Sequence, residues 1–168
     1  MSDAIDAIIG QWSAERPDLE AEMWPVQLLG RVQRLSRVID REYKAFLGGH
    51  GLELGEFDVL TTLRRSGPPY AMTAGAFLKA AMVTSGAITN RIDRMEAKGL
   101  VERVRDPEDR RQVLIRLTPH GRTLTDEVIE GHFRNLAEIV AALPREDTEA
   151  AGAVLRTLLE SHGDTSLG

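Results

Sequence analysis

Residues 83–117 read VTSGAITNRIDRMEAKGLVERVRDPEDRRQVLIRL, and this stretch decides the fold. Ile88, Ile92 and Met95 recur at spacings of four and three, which lines them along one face of a helix. Thr84 and Ser85 are suited to accept from the first free N–H groups of that helix. Gly99 is suited to the left-handed conformation that ends it. The opposite face carries Thr89, Asn90, Arg91 and Arg94, side chains able to reach phosphates and base edges. Beyond it, Val113, Ile115 and Leu117 alternate with Leu114 and Arg116, the period-two pattern of a strand with one buried face. Residues 100–105 are its partner strand, and 106–111 form the arginine-rich loop between them. A helix for the major groove beside a hairpin that touches the backbone is a device for reading DNA.

Working outward, residues 55–65 form a helix with Phe57, Leu60 and Leu63 inward. Pro68-Pro69 marks a turn, and 74–80 a short helix. Towards the N-terminus a long helix over 19–47 aligns Leu28, Val32, Leu35, Ile39 and Phe46. Gly48 and Gly49 stop it, and Pro25 delays its start. A short helix at 3–13 precedes a break at Arg16-Pro17-Asp18. After the hairpin, Thr118 is placed to cap a helix and Pro119 to occupy its first position. That helix runs to Leu143 with Leu124, Val128, Leu136 and Ile139 on its stripe, and Pro144 ends it. A last helix at 145–161 shows Leu155, Leu158 and Leu159. The fold class is mainly α (α+β): a winged helix-turn-helix lobe on a helical platform. The outer helices carry more apolar face than one small lobe covers, and a two-fold homodimer is the simplest cover.

The net charge of −5 runs against nucleic-acid binding until it is mapped along the chain. Residues 84–122 hold nine basic and six acidic side chains, and residues 25–83 hold eight and five. Residues 1–24 hold one basic and six acidic, and residues 123–168 three and nine. The middle is basic and both ends acidic, as for a modest DNA-binding lobe on an acidic scaffold. The chain has no cysteine, so neither disulfides nor thiolate metal sites enter. No apolar run nears the roughly 20 residues of a membrane span, and the start MSDAIDAIIG lacks the basic opening of a signal peptide. The cytoplasm is the address these features imply. The four histidines show no metal-ligand spacing and read as solvated; no phosphate-binding glycine loop or nucleophile–base set is present. No catalytic residue, metal or cofactor is therefore assigned.

The wing DPEDRRQVLIRLTPHG (106–121), with Asp109 and Arg111 in a D-x-R pattern and then Leu117, Thr118 and Gly121, resembles the MarR family of winged-helix transcription regulators. The helix SGAITNRIDRMEAKGLVER is equally typical, and the resemblance covers residues 28–160. It implies one MarR-type domain over 1–168: an extension helix at 1–24, dimerisation helices at 25–50 and 118–164, and the winged lobe at 52–117. It also implies a homodimer on a pseudo-palindromic operator, usually repressing nearby genes until a small molecule binds. The extension QWSAERPDLEAEMWPVQLLGRV (11–32) is similar to that of the family's urate-responsive branch. In that branch a tryptophan, an aspartate and two arginines meet a purine anion, and Trp12, Asp58, Arg91 and Arg103 occupy the matching positions. Ala74-Gly75-Ala76-Phe77 departs from the branch's more polar pattern without touching those four.

The candidate DNA contacts are Ser85, Thr89, Asn90, Arg94, Arg110 and Arg111. Arginine on guanine and asparagine on adenine are the pairings geometry favours; phosphate contact alone is the plainer alternative. Arg111 has a rival role, a salt bridge to Asp109 that stiffens the turn. At the ligand site, Arg91 and Arg103 offer charge and forked donors. Asp58 is suited to accept from a ring N–H, or to pair with Arg91 while the site is empty, and Trp12 to stack. The plainer roles are a staple for Trp12, a solvated or capping carboxylate for Asp58 and a phosphate grip for Arg91. Urate, xanthine, a phenolic acid and a small carboxylate all stay open as effectors. A winged-helix module that binds protein is the alternative from another class.

Overall fold

The computed structural model describes residues 2–80 and 88–165, so Thr84 and Ser85 lie outside the described residues. The chain forms two compact units, 1–45 and 46–168.

In the first unit, helix α1 (Ala4–Glu15) is capped by Asp3, whose carboxylate accepts from the N–H groups of Ile5 and Asp6. Those hydrogen bonds, with Arg31 close by, hold the Asp3 carboxyl below its usual range. A 3₁₀ turn (Pro17–Glu22) leads into α2 (Trp24–Gly49), which starts later than the expected residue 19 because Pro17 and Pro25 interrupt the helical hydrogen bonding. Arg31 of α2 reaches back to Asp3 at 2.8 Å and Asp6 at 2.6 Å. Ile5 is buried against Gly30, a position on α2 with no side chain in its way.

The second unit takes the end of α2, then α3 (Leu54–Arg65), β1 (Ala71–Thr73), α4 (Ala74–Ala80), α5 (Ile88–Ala97), β2 (Val101–Arg105), β3 (Val113–Leu117), α6 (Pro119–Ile139) and α7 (Arg145–Ser161). The sheet has three antiparallel strands in the order β1-β3-β2, one more than the expected hairpin. Ile115 of β3 lies opposite Met72 on one side and Arg103 on the other. Tyr70 delivers β1 to this edge: its carbonyl accepts from Leu117 N–H at 3.1 Å, and its backbone sits at φ 59, a strained angle for a bulky residue. Arg64 and Arg122 both lie over its ring, at 5.1 and 4.8 Å.

The core gathers the expected inward faces: Phe57, Leu60 and Leu63 of α3, Ile88, Ile92 and Met95 of α5, and Ile115 and Leu117 of β3. Val113 departs from its expected burial and is exposed; it stands at the wing end of β3, where β2 still pairs with it but β1 no longer does. Thr118 caps α6 as expected, accepting from Gly121 N–H at 2.9 Å. Its hydroxyl also donates to the Gly99 carbonyl at 2.6 Å, tying α6 to the end of the reading helix. Helix α6 stops at Ile139, short of the expected Leu143, and turns through Val140 before Pro144. Leu28, Val32 and Leu35 of α2, with Val154, Leu155 and Leu159 of α7, remain exposed.

Candidate DNA interface and anion site

Helix α5 buries Ile88, Ile92 and Met95 and leaves Thr89, Asn90, Asp93 and Arg94 in solvent, so three DNA candidates stand on the face the core does not use. Ser85 lies outside the described residues. Helix α5 passes through the left-handed Gly99 (φ 68) directly into β2, which makes reading helix and hairpin one continuous piece.

The wing tip is organised by two aspartates. Asp106 accepts from the backbone N–H of Glu108 at 2.8 Å, and Asp109 from that of Arg111 at 3.0 Å. Gln112 donates its side-chain amide to Asp109 at 3.0 Å, and this bond leads in holding the Asp109 carboxyl below its usual range. The rival role for Arg111, a salt bridge to Asp109, is not seen: the carboxylate stiffens the turn through the Arg111 backbone and leaves the guanidinium out. Arg110 and Arg111 are exposed, and among the described residues neither guanidinium is paired.

A charged seam joins α5 to the first turn of α3. Arg94 pairs with Glu53 at 3.1 Å. Lys98 donates to both oxygens of Glu56, each at 2.8 Å, and to the Gly51 carbonyl at 3.1 Å. Glu56 is 1% exposed, so this lysine supplies the charge that a buried carboxylate requires. Glu53 and Glu56 were missed from sequence; their only signal was the E-x-x-E spacing that joins Glu53 N–H to Glu56 at 3.0 Å.

Arg91 completes the seam differently. Its guanidinium lies against Gly55, where a Cβ would overlap it. The Arg91 Nε and Nη1 groups are enclosed, and among the described residues no acceptor meets them. The alternative in which Arg91 pairs with Asp58 is not seen, and the guanidinium rests over Gly55, one turn short of Asp58 on α3. Asp58 is half-buried, with Oδ2 enclosed. Arg103 does not join them: it is held by Asp93 at 2.7 Å and by Glu96, both on α5, and its backbone N–H donates to Glu96 at 2.9 Å. The bond to Asp93 leads in raising the Arg103 pKa further above its ordinary value. Trp12 belongs to the first unit, on α1, with over half of its surface exposed.

His132 corrects the expectation that every histidine is solvated. It is half-buried, edge-on to Phe57 at 4.9 Å, with Phe46 and Phe133 nearby, and burial pushes its pKa down. Among the described residues no cluster of three metal-ligating side chains occurs, and no helix is long and apolar enough to cross a membrane.

The profile of the MarR family matches residues 52–113, from two residues before α3 to the first residue of β3. The HTH-type transcriptional regulator PecS of Dickeya dadantii (strain 3937) is 36% identical over 151 residues, covering 90% of this chain and 90% of its own. A mutant MarR of E. coli, solved in complex with operator DNA, aligns with a TM-score of 0.69 and 25% identity, covering 82% of this chain and 97% of that one. Bordetella bronchiseptica BpsR, solved to explain regulation of its DNA binding by 6-hydroxynicotinic acid, aligns at 0.67 and 26%, covering 77% and 91%. These relatives are regulators and not enzymes. With its helix-turn-helix, its three-stranded wing and a relative matched along nearly its whole length, the chain belongs to the MarR family of winged-helix transcription regulators.

Proposed function

We propose that the chain is a homodimeric regulator, a repressor that leaves a pseudo-palindromic operator when a small planar anion such as urate binds beside its reading helix. The enclosed N–H groups of Arg91, which meet no acceptor among the described residues, carry this reading. Buried donors without acceptors are rare in folded proteins, and a forked cation in that state is completed by a planar anion. Asp58, one turn along α3, is the acceptor for a ring N–H. Arg103 supplies the second guanidinium once the anion outcompetes Asp93 and Glu96. Because Arg91 belongs to α5, an anion that binds better when the helix is displaced from its DNA-ready pose shifts the population away from DNA.

On the DNA side, Thr89, Asn90 and Arg94 read base edges, Ser85 approaches a phosphate, and Arg110 and Arg111 enter the minor groove or grip the backbone. The exposed apolar stripes of α2 and α7 pair with a second copy. Isothermal titration with urate, followed by a gel shift on DNA from upstream of the chain's own gene, tests the whole reading. No heat and no release of DNA would reject urate.

A second reading keeps the regulator and changes the effector to xanthine, a phenolic acid or a small carboxylic acid. The BpsR likeness favours it, since that protein answers to an aromatic carboxylate. A thermal-shift panel of purines and aromatic acids separates the two.

A further inference from the structure

We propose that Glu53 is the counter-ion that keeps Arg94 off the bases, and that this one carboxylate sets how sharply the chain discriminates its operator from other DNA. The inference rests on the reading of Arg94 as a base contact. Arg94 is a DNA candidate that the free chain holds in an ion pair, at 3.1 Å to Glu53. The acid of this pair stands on a fixed scaffold. The Glu53 N–H donates to Glu56 at 3.0 Å, and Glu56 is buried and gripped twice by Lys98. The pair itself is open to water, with side chains 55% and 66% exposed, so opening it costs little.

An arginine that forks onto a guanine edge commits its donors there and must give up Glu53. In a complex made through phosphates alone, Arg94 has no edge to reach and the pair stays closed. The carboxylate therefore weakens the specific complex and leaves the non-specific one unchanged. Its contribution is that of an exposed ion pair, about two- to five-fold in affinity.

The test uses the full-length chain in fluorescence anisotropy at one fixed salt concentration. One probe is a duplex selected by the wild-type chain from a randomised pool, and the other a scrambled duplex of equal length. Glu53→Gln removes the charge and keeps the size. It should tighten binding to the selected duplex about two- to five-fold and leave the scrambled one unchanged. In an Arg94→Ala background the same change should have no effect on either duplex. Equal tightening on both duplexes, or tightening that persists without Arg94, would show a general charge effect and overturn the proposal. If Arg94→Ala alone leaves selected and scrambled binding at wild-type strength, the base-reading assignment fails first, and Glu53 loses its role with it.

Discussion

Arg91 of the reading helix lies flat over Gly55 of α3, and it fits because position 55 carries no Cβ. The packing brings this cation into the seam between the two helices with its Nε and Nη1 enclosed and, among the described residues, without an acceptor. Gly55→Ala should therefore dislodge the guanidinium while raising the intrinsic helix propensity of α3 by about 1 kcal/mol. We expect the fold to persist and the affinity for urate to fall about ten- to a hundred-fold, the loss of a charge-assisted hydrogen bond. Calorimetry on Gly55→Ala and Arg91→Ala, side by side, checks it. Full urate affinity in Gly55→Ala would remove Arg91 from the site.

The exposed guanidinium groups at the wing tip should act through phosphates or the minor groove. Arg110→Ala and Arg111→Ala should each weaken DNA binding and lower the slope of log K against log salt by about 0.9 for each phosphate no longer neutralised. A salt titration of DNA affinity for each variant reads this directly. An unchanged slope in both would take the wing off the DNA.

Glu56 has its charge answered by Lys98 alone among the charged side chains of the described residues. Lys98→Ala should cost about 1–3 kcal/mol, less than a fully buried pair because Lys98 itself is 42% exposed. Lys98→Ala combined with Glu56→Gln should recover part of that loss, since the uncompensated charge is gone. Urea unfolding of the wild type and the two variants measures both.

Gly121 faces the Leu100 carbonyl so closely that a Cβ would overlap backbone, which cannot rotate away as a side chain would. Gly121→Ala should destabilise by about 1–3 kcal/mol through forced displacement of the β2 start, against Thr118 and the end of α5. Thermal melting shows it as a lowered midpoint. An undiminished melting temperature would mean that α6 shifts freely at its first turn.

His132 sits among phenylalanine rings with its pKa pushed down by burial, so the unfolded chain takes up its proton at a higher pH than the folded one. Stability is then undiminished above the ordinary histidine value of 6.5 and falls as the pH drops through it. His132→Phe should flatten the loss of melting temperature between about pH 7.5 and about pH 5.5. Parallel losses in variant and wild type would assign that pH dependence to other groups.

Much of this architecture was legible because one face of each long element meets the core. Ile88, Ile92 and Met95 repeat at helical spacing and are all buried, and the Thr118-Pro119 pair opens α6 as read. Strand β1 escaped notice because three residues behind two prolines offer no period to detect. Its place follows from the Tyr70 carbonyl taking the Leu117 N–H, a hydrogen bond between residues far apart in the chain. The candidate ligand residues came from the resemblance to the urate-responsive branch, and their engagements were not legible. Nothing in the order of residues says that Arg103 is spoken for by Asp93 and Glu96, or that Arg91 rests on a glycine. Those outcomes depend on which carboxylates three-dimensional packing brings within reach.

Arg103 carries a mechanical consequence. By clasping two acids of the helix from the neighbouring strand, it rivets two DNA-probing elements at one mutual angle. Such a rigid calliper adapts poorly, so the strain of docking falls on the duplex. Targets whose base steps kink or narrow readily are then expected to bind more tightly, even where the difference lies at positions no side chain touches.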